Sequence, residues 1–170
     1  MDIARTPATP DGNPEMADAA IEPSIPPEIH RKDYKPFAWL VPEVRLDFDL
    51  GVEATRIRSR LAIAPNPAGE PSNTIRLNGD GIAITTEIEP SVNSQLMGLY
   101  ASNGMLCTQC EAEGFRRITF FPDRPDVLST YTVRMTGPKA QFPVLLSNGN
   151  LTSRGEEADG THWAEWHDPW

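Results

Sequence analysis

The sequence predicts a mainly β fold, a saddle-like antiparallel sheet or sandwich, and three observations support this prediction. Apolar and polar residues alternate along several segments, which is the period-two pattern of half-buried strands. No long segment has the 3.6-residue period of an amphipathic helix, and Asn-Gly turn signals separate the alternating segments. With 170 residues, of which 39% are hydrophobic, the chain suits one domain of moderate size with tails.

The first hairpin is predicted from two alternating segments, VRLDFDL and TRIRSRLAI, which GVEA joins as a turn. Folding the chain about this turn places Asp49 opposite Arg56 and Asp47 opposite Arg58. Opposite charges on facing strands contribute roughly 0.2–1 kcal/mol per pair and help to set the register. The arginines of the second segment are therefore interpreted as the charge-paired solvent face of a hairpin.

Further β structure is predicted along the rest of the chain. A hairpin turn is indicated at Asn78-Gly79, and a second Asn-Gly turn follows FPVLLS. YTVRM and THWAEWH have the composition of strands. A short helical turn is predicted near residues 125–129, because Pro125 suits a first helical position.

Residues 1–30 are predicted to be a disordered tail, since six prolines lie among small and acidic residues that bury too little surface to offset ordering entropy. The formal charge of −9 disfavours nucleic acid and anionic membranes as partners. The chain has neither an 18-residue apolar run nor the pattern of a secretory signal, and two cysteines do not form a disulfide framework. A reducing, cytoplasmic setting is expected.

Both cysteines lie in CTQCEAEGFRRITF, residues 107–120. A redox Cys-x-x-Cys requires a thiol at a helix N-terminus, which these flanks do not predict, and Glu111 and Glu113 would raise the pKa of a neighbouring thiol. A redox role is therefore disfavoured.

A structural zinc site is an open alternative, because Cys107 and Cys110 could combine with His162 and His167 as a Cys2His2 set. The 51 residues between the two halves weaken it. If THWAEWH is a strand, its two histidines also point to opposite faces. H-E-x-x-H, G-x-S-x-G and phosphate-loop motifs are absent from the sequence.

A third interpretation concerns Gln109 and Glu111, which share one face with Glu113 if the segment is extended. A carboxylate and an amide oxygen that converge make a receptor for an ammonium group, and each charged hydrogen bond contributes roughly 1.5–3 kcal/mol. Such spacing is also common on solvated surfaces, so the pattern alone leaves this interpretation open.

The string GLYASNGMLCTQCEAEGFRRITFFPDRPDVLSTYTVRM resembles the signature region of the N-terminal domain of the bacterial aminopeptidases N, in the M1 family of zinc metallopeptidases. The similarity continues through FPVLLSNGN and HWAEWHDP, and upstream through RKDYKPFAWLVPEVRLDFDLG, so that it covers most of residues 31–170. The first 30 residues lie outside it.

The resemblance implies a β-rich saddle domain that packs on a thermolysin-like catalytic domain and contributes to the removal of N-terminal residues from peptides. By motif match, Gln109 and Glu111 hold the substrate's α-amine, and the cysteines are packing residues. The family's zinc ligands, catalytic base and transition-state tyrosine have no counterpart here, so the chain is expected to hold no metal or catalytic residue and to be inactive alone. Its expected partners are a peptide N-terminus and the catalytic domain.

Two departures from the family pattern bear on these expectations. The stretch near residues 80–90 is shorter than in the family, so strands are expected to be missing, and the sequence ends about where the catalytic domain is expected. A free-standing β-sandwich binding or scaffold module is the alternative. Candidates for an apolar face that meets the catalytic domain, with burial inside this domain as the alternative, are the aromatic residues Phe115, Phe120, Phe121, Trp163, Trp166 and Trp170.

Overall fold

The computed structural model describes residues 30–77 and 85–169. This part of the chain divides into two units between Tyr34 and Lys35. In the first unit, Arg31–Asp33 forms one turn of 3-10 helix. Residues 1–29 of the predicted tail and the turn predicted at Asn78-Gly79 lie outside the described residues.

The second unit is built from strands, as the sequence predicts. In the described part of the chain they are β1 (Trp39–Asp49), β2 (Thr55–Pro65), β3 (Thr85–Ile88), β4 (Gly98–Ser102), β5 (Met105–Gln109), β6 (Thr130–Pro138), β7 (Asn150–Glu156) and β8 (Thr161–Asp168). Two 3-10 turns interrupt them, Pro90–Val92 and Phe115–Arg117. Among the described residues, no helix has the length and apolar composition needed to span a bilayer.

Six strands form one curled sheet in the order β3-β2-β1-β6-β8-β7, and β4 and β5 form a separate two-stranded sheet. Each of these pairings is antiparallel except β1 with β6, which is parallel. The mainly β fold is confirmed, and the parallel pair is an addition that alternation alone does not reveal, since side chains repeat every two residues in either direction.

The predicted register of the first hairpin is confirmed, because Asp47 faces Arg58 and Asp49 faces Arg56. The ion pairs formed by these charged residues join other partners, since Asp47 lies 3.7 Å from the Arg45 guanidinium. Arg56 binds Glu87 of β3 at 3.0 Å.

The core lies on the opposite face of the sheet, where apolar side chains of β1 pack with those of β2, of β4 and of the segment between β5 and β6. Its buried residues are Val41, Val44, Leu46, Phe48, Ile57, Leu99, Ile118 and Phe121. A smaller cluster contains Phe142, Leu145 and Ala164. Burial of this kind contributes roughly 25 cal/mol per Å² of apolar surface.

The aromatic residues expected to form an exposed face are mostly engaged within the domain. Phe115 packs edge-on against Phe121 and Tyr131, with ring centroids 5.0 and 5.9 Å apart. The Trp163 ring lies under the guanidinium of Arg134 at 3.8 Å. Trp166 donates a hydrogen bond of 3.2 Å from its Nε1 to the Leu145 carbonyl. Phe120 is half-buried, and Trp170 lies outside the described residues.

The predicted turns within the described residues are present, with one change. At residues 125–129 the chain makes a reverse turn closed by a hydrogen bond from the Val127 N–H to the Arg124 carbonyl, 3.2 Å long, and does not continue as a helix. The chain bends at Asn148-Gly149 before β7. Gly149 has φ +81°, and a Cβ there would lie 2.2 Å from the His167 carbonyl oxygen, so glycine is required.

Candidate substrate-binding site

The β4–β5 hairpin places the proposed amine-binding residues. Its turn is Asn103-Gly104, with φ of 49° and 79°, and two positive φ values are typical of a type I′ turn. The register then pairs Gly98 with Gln109, the last residue of β5. This hairpin was not predicted, although SNGM in the sequence contains the Asn-Gly signal.

Gln109 and Glu111 lie at the surface, where β5 ends. The Gln109 side-chain Nε2 donates a long hydrogen bond of 3.5 Å to the Glu111 carbonyl, which leaves the amide oxygen available as an acceptor. The Glu111 carboxylate has no hydrogen bond or ion pair with any residue that the structure describes. The Glu111–Ala112 peptide bond is cis.

The assumption that this segment is extended through Glu113 is wrong. Residues 111–114 form a turn, so Glu113 does not continue the strand face of Gln109. Its carboxylate instead lies 3.1 Å from the Arg116 guanidinium. The two glutamates of the segment therefore differ, because Arg116 compensates the charge of Glu113.

Gly114 closes the turn tightly. Its N–H donates to the Cys110 carbonyl at 2.8 Å, and a Cβ at this position would lie 2.7 Å from the Gln109 carbonyl oxygen and 2.8 Å from the Cys110 Cα. Real Cβ atoms do not approach backbone so closely, so a larger residue would displace the segment that carries Gln109 and Glu111.

Arg116 and Asp123 form a charged pair behind this turn, and this pair was not predicted from the sequence. The Asp123 carboxylate Oδ2 accepts hydrogen bonds from the Arg116 backbone N–H at 3.1 Å and from Nε at 3.0 Å. Arg116 Nη2 also donates to the Asp123 backbone carbonyl at 3.3 Å. Arg116 lies in a short 3-10 turn and Asp123 in the irregular segment before β6, so no periodic pattern in the sequence indicates this contact.

The cysteines are free thiols, and Cys110 packs against the core. Burial, together with the negative charge of Asp123, raises the pKa of the Cys110 thiol from 9.0 to about 11. A raised pKa keeps the thiol protonated near neutral pH, whereas redox chemistry and metal binding use the thiolate. This geometry disfavours the redox interpretation further.

The Cys2His2 alternative is not supported by the positions of its histidines. Both lie in β8, five residues apart, and therefore on opposite faces of the sheet. His162 Nε2 donates to the Phe142 carbonyl at 2.6 Å, and His167 Nδ1 lies 3.3 Å from the Thr132 hydroxyl. Across residues 30–77 and 85–169, no group of three or more His, Cys, Asp and Glu side chains could hold a metal ion.

The described residues thus form a curled β domain that exposes a carboxylate and an amide at the end of a hairpin. The sequence model of the Peptidase M1 N-terminal domain matches residues 46–170. The chain belongs to this family.

Aminopeptidases N are among its relatives. The chain is 42% identical to aminopeptidase N of Caulobacter vibrioides, over 85% of the chain, and 33% identical to that of Escherichia coli, again over 85%. Each match spans 20% of the relative's length.

Solved structures have the same fold. Aminopeptidase A of Legionella pneumophila, in complex with aspartic acid, matches 81% of this chain and 20% of its own with a TM-score of 0.69 and 28% identity. An M1 zinc metallopeptidase of Deinococcus radiodurans matches 79% of this chain and 40% of its own, with a TM-score of 0.56 and 14% identity, and supports the fold alone.

Proposed function

We propose that this chain is the N-terminal domain of a zinc aminopeptidase and that Gln109 and Glu111 bind the α-ammonium group of a peptide substrate. The observation that carries the proposal is the exposed Glu111 carboxylate, unpaired among the described residues and next to the free amide oxygen of Gln109. An ammonium group donates three hydrogen bonds and needs acceptors of this kind. Holding it at a fixed point would set where the peptide is cut, by positioning.

The zinc ion and the hydrolytic groups belong, in this proposal, to a catalytic domain outside the chain. The donor set of the described residues does not fit a zinc site, and the aminopeptidase N relatives are about five times as long as the part matched here. Exposed apolar residues support a partner surface, since Val92, Leu96 and Met105 are carried by the β4–β5 hairpin and the segment that precedes it. A cytoplasmic location is part of the same proposal, and the two free thiols are consistent with a reducing compartment.

An internally shortened domain is also part of the proposal. The match with the Caulobacter vibrioides enzyme runs over 177 residues, more than the 170 of this chain, although 85% of the chain is aligned. The relative therefore has residues within the matched span that have no counterpart here. This supports an internal shortening, while its position near residues 80–90, part of which lies outside the described residues, stays a prediction.

Titration of the ¹⁵N-labelled chain with L-alaninamide, followed by NMR, tests the amine-binding role. A single charged hydrogen bond of roughly 1.5–3 kcal/mol corresponds to a Kd on the order of 10–100 mM, which NMR can measure, and a second bond would lower it further. The Gln109 side-chain amide signals are expected to shift with L-alaninamide and not with its N-acetyl derivative.

Glu111→Gln, which keeps the shape and removes the charge, is expected to abolish the response. Glu157→Gln, at an exposed position of the β7–β8 connection, is the matched control and should leave it unchanged. Equal responses to the free and acetylated amides, or an unchanged titration in Glu111→Gln, would overturn the proposal.

A further inference from the structure

We infer that Arg116 and Asp123 are positioning residues for Gln109 and Glu111, an inference that rests on the proposed amine-binding function. Asp123 is the fixed end of this pair, because its side chain is 10% exposed and its Oδ2 accepts two hydrogen bonds from Arg116. A third hydrogen bond joins Arg116 Nη2 to the Asp123 backbone. Several charge-assisted bonds to one guanidinium fix its orientation as well as its location.

The same guanidinium reaches the surface segment. Arg116 Nη2 lies 3.1 Å from the carboxylate of Glu113, whose side chain is 64% exposed. Because Glu113 is mostly exposed, this ion pair adds little to holding the turn in place. The positive charge of Arg116 also compensates Glu113, which weakens Glu113 as a competing site for an ammonium group and leaves Glu111 as the uncompensated carboxylate of the turn.

Backbone contacts carry the position of Arg116 to the binding residues. Arg116 lies in the 3-10 turn Phe115–Arg117, which follows Gly114 directly. The Gly114 N–H donates to the Cys110 carbonyl at 2.8 Å. The Gly114 backbone also packs so closely against Gln109 and Cys110 that a Cβ on Gly114 would clash with both. A displacement of Arg116 would therefore move Cys110 and, with it, Gln109 and Glu111 on either side.

The test uses the full 170-residue chain, ¹⁵N-labelled, with Arg116→Gln and Arg116→Lys as the main variants. In Arg116→Gln we expect the amide signals of residues 110–114 to shift, Gly114 amide exchange to accelerate about tenfold or more, and the Kd for L-alaninamide to rise about tenfold. A tenfold rise in Kd is a moderate expectation, because a displacement of a catalytic group by about 1 Å can lower an enzyme's rate on the order of 100-fold. Arg116→Lys restores the charge but not the planar fork, so intermediate values are expected.

Glu113→Gln is the second variant, and it keeps the buried end of the pair intact. Because Arg116 already compensates Glu113 and because Glu113 is not a binding group in this inference, its Kd for L-alaninamide should change less than twofold. Arg56→Gln, which breaks an exposed pair on another face, is the matched control for the loss of an arginine charge.

A purely structural role would lower the urea midpoint of Arg116→Gln and leave the residue 110–114 signals and the L-alaninamide titration of the folded molecules unchanged. That result would overturn the inference, and so would a large loss of binding in Glu113→Gln. If the unmodified chain does not respond to L-alaninamide, the proposed function fails. The Gly114 exchange rates then still decide whether Arg116 holds the segment in place.

Discussion

Cys110 illustrates at the scale of one residue how the structure separates chemistry from packing. It lies between the two proposed binding residues, yet its thiol packs against the core and its pKa is raised to about 11. The Cys-x-x-Cys spacing alone allowed redox and metal-binding interpretations. Burial favours a third one, in which the neutral thiol fills space below the exposed segment.

Alkylation of Cys110 is predicted to be slow. In a Cys107→Ser chain at pH 8, a pKa of about 11 lowers the thiolate fraction of Cys110 about 100-fold relative to an ordinary thiol. A more basic thiolate is also more nucleophilic, which offsets part of this loss. We therefore expect Cys110 to react with iodoacetamide about tenfold more slowly than an ordinary thiol. The same chain in concentrated urea is the control. Equal rates in the folded and unfolded chains would contradict the prediction.

The pH dependence of stability has a defined sign for the same group. Because the folded state holds the Cys110 proton more tightly than the unfolded state, the contribution to stability is fully present below pH 9 and is lost as the pH rises from 9 toward 11. Urea unfolding of the unmodified chain should therefore show a steeper loss across this window than Cys110→Ala. Parallel pH profiles for the two chains would be the contrary result.

Gly114→Ala is predicted to disturb the binding segment. The added Cβ would meet the Gln109 carbonyl oxygen at 2.7 Å, so backbone must move, at a cost of about 1–3 kcal/mol in the free energy of unfolding. The loss should appear in urea denaturation together with shifted amide signals at residues 109–114.

Gly104→Ala provides the matched control for Gly114→Ala. A Cβ there meets no atom within 4 Å, but φ is +79°, so only the left-handed strain of about 1–2 kcal/mol is expected. If Gly114→Ala leaves the amide signals of residues 109–114 in place, the tight closure described here is wrong.

Among the elements, the β1–β2 hairpin could be predicted to the residue because alternation and facing charges specify the same register. The β4–β5 hairpin could not be predicted in that way, because its apolar residues Leu99 and Tyr100 are adjacent and do not alternate. The parallel pairing of β1 with β6 depends on a connection of 80 residues between the strands, for which no local pattern exists.

Arg45 and Glu165 provide a prediction at this scale, because their ion pair of 2.8 Å spans β1 and β8 across the intervening β6. Their side chains are 34% and 22% exposed, compared with 56% and 59% for Arg56 and Glu87. A double-mutant cycle with Arg45→Met and Glu165→Gln should give a coupling of about 1 kcal/mol, while the corresponding cycle for the exposed pair should give a few tenths.

Salt distinguishes the two pairs further. Screening acts most strongly on exposed charges, so 0.5 M NaCl should reduce the coupling of Arg56 with Glu87 more than that of Arg45 with Glu165. Equal couplings that respond equally to salt would show that the pair across β6 is no better shielded than an ordinary surface pair.

For the whole molecule, the sequence was sufficient to predict the fold class. The assignment of Gln109 and Glu111 as binding residues came from family resemblance and stays a prediction. The sequence was not sufficient to predict what holds them, because the contact of Arg116 with Asp123 is set by how the 3-10 turn packs after the hairpin. Between the two alternatives for the aromatic residues, the structure favours packing inside the domain for Phe115 and Trp166, which both have partners there. A small β domain needs large side chains for its own core, and composition does not distinguish these from side chains that pack against a partner domain.

The isolated chain is predicted to bind amines without hydrolysing peptides. Its described residues do not provide a metal site that could activate water, and positioning alone does not generate that nucleophile. We expect no turnover of alanyl- or leucyl-anilide with added zinc, and less than about 0.1 molar equivalent of zinc after dialysis, in line with the lack of a closed ligand set. An intact aminopeptidase N assayed in parallel is the positive control. Chelator-sensitive turnover that co-purifies with the chain would contradict this prediction, and one equivalent of zinc that is lost in Cys107→Ser would restore the Cys2His2 alternative.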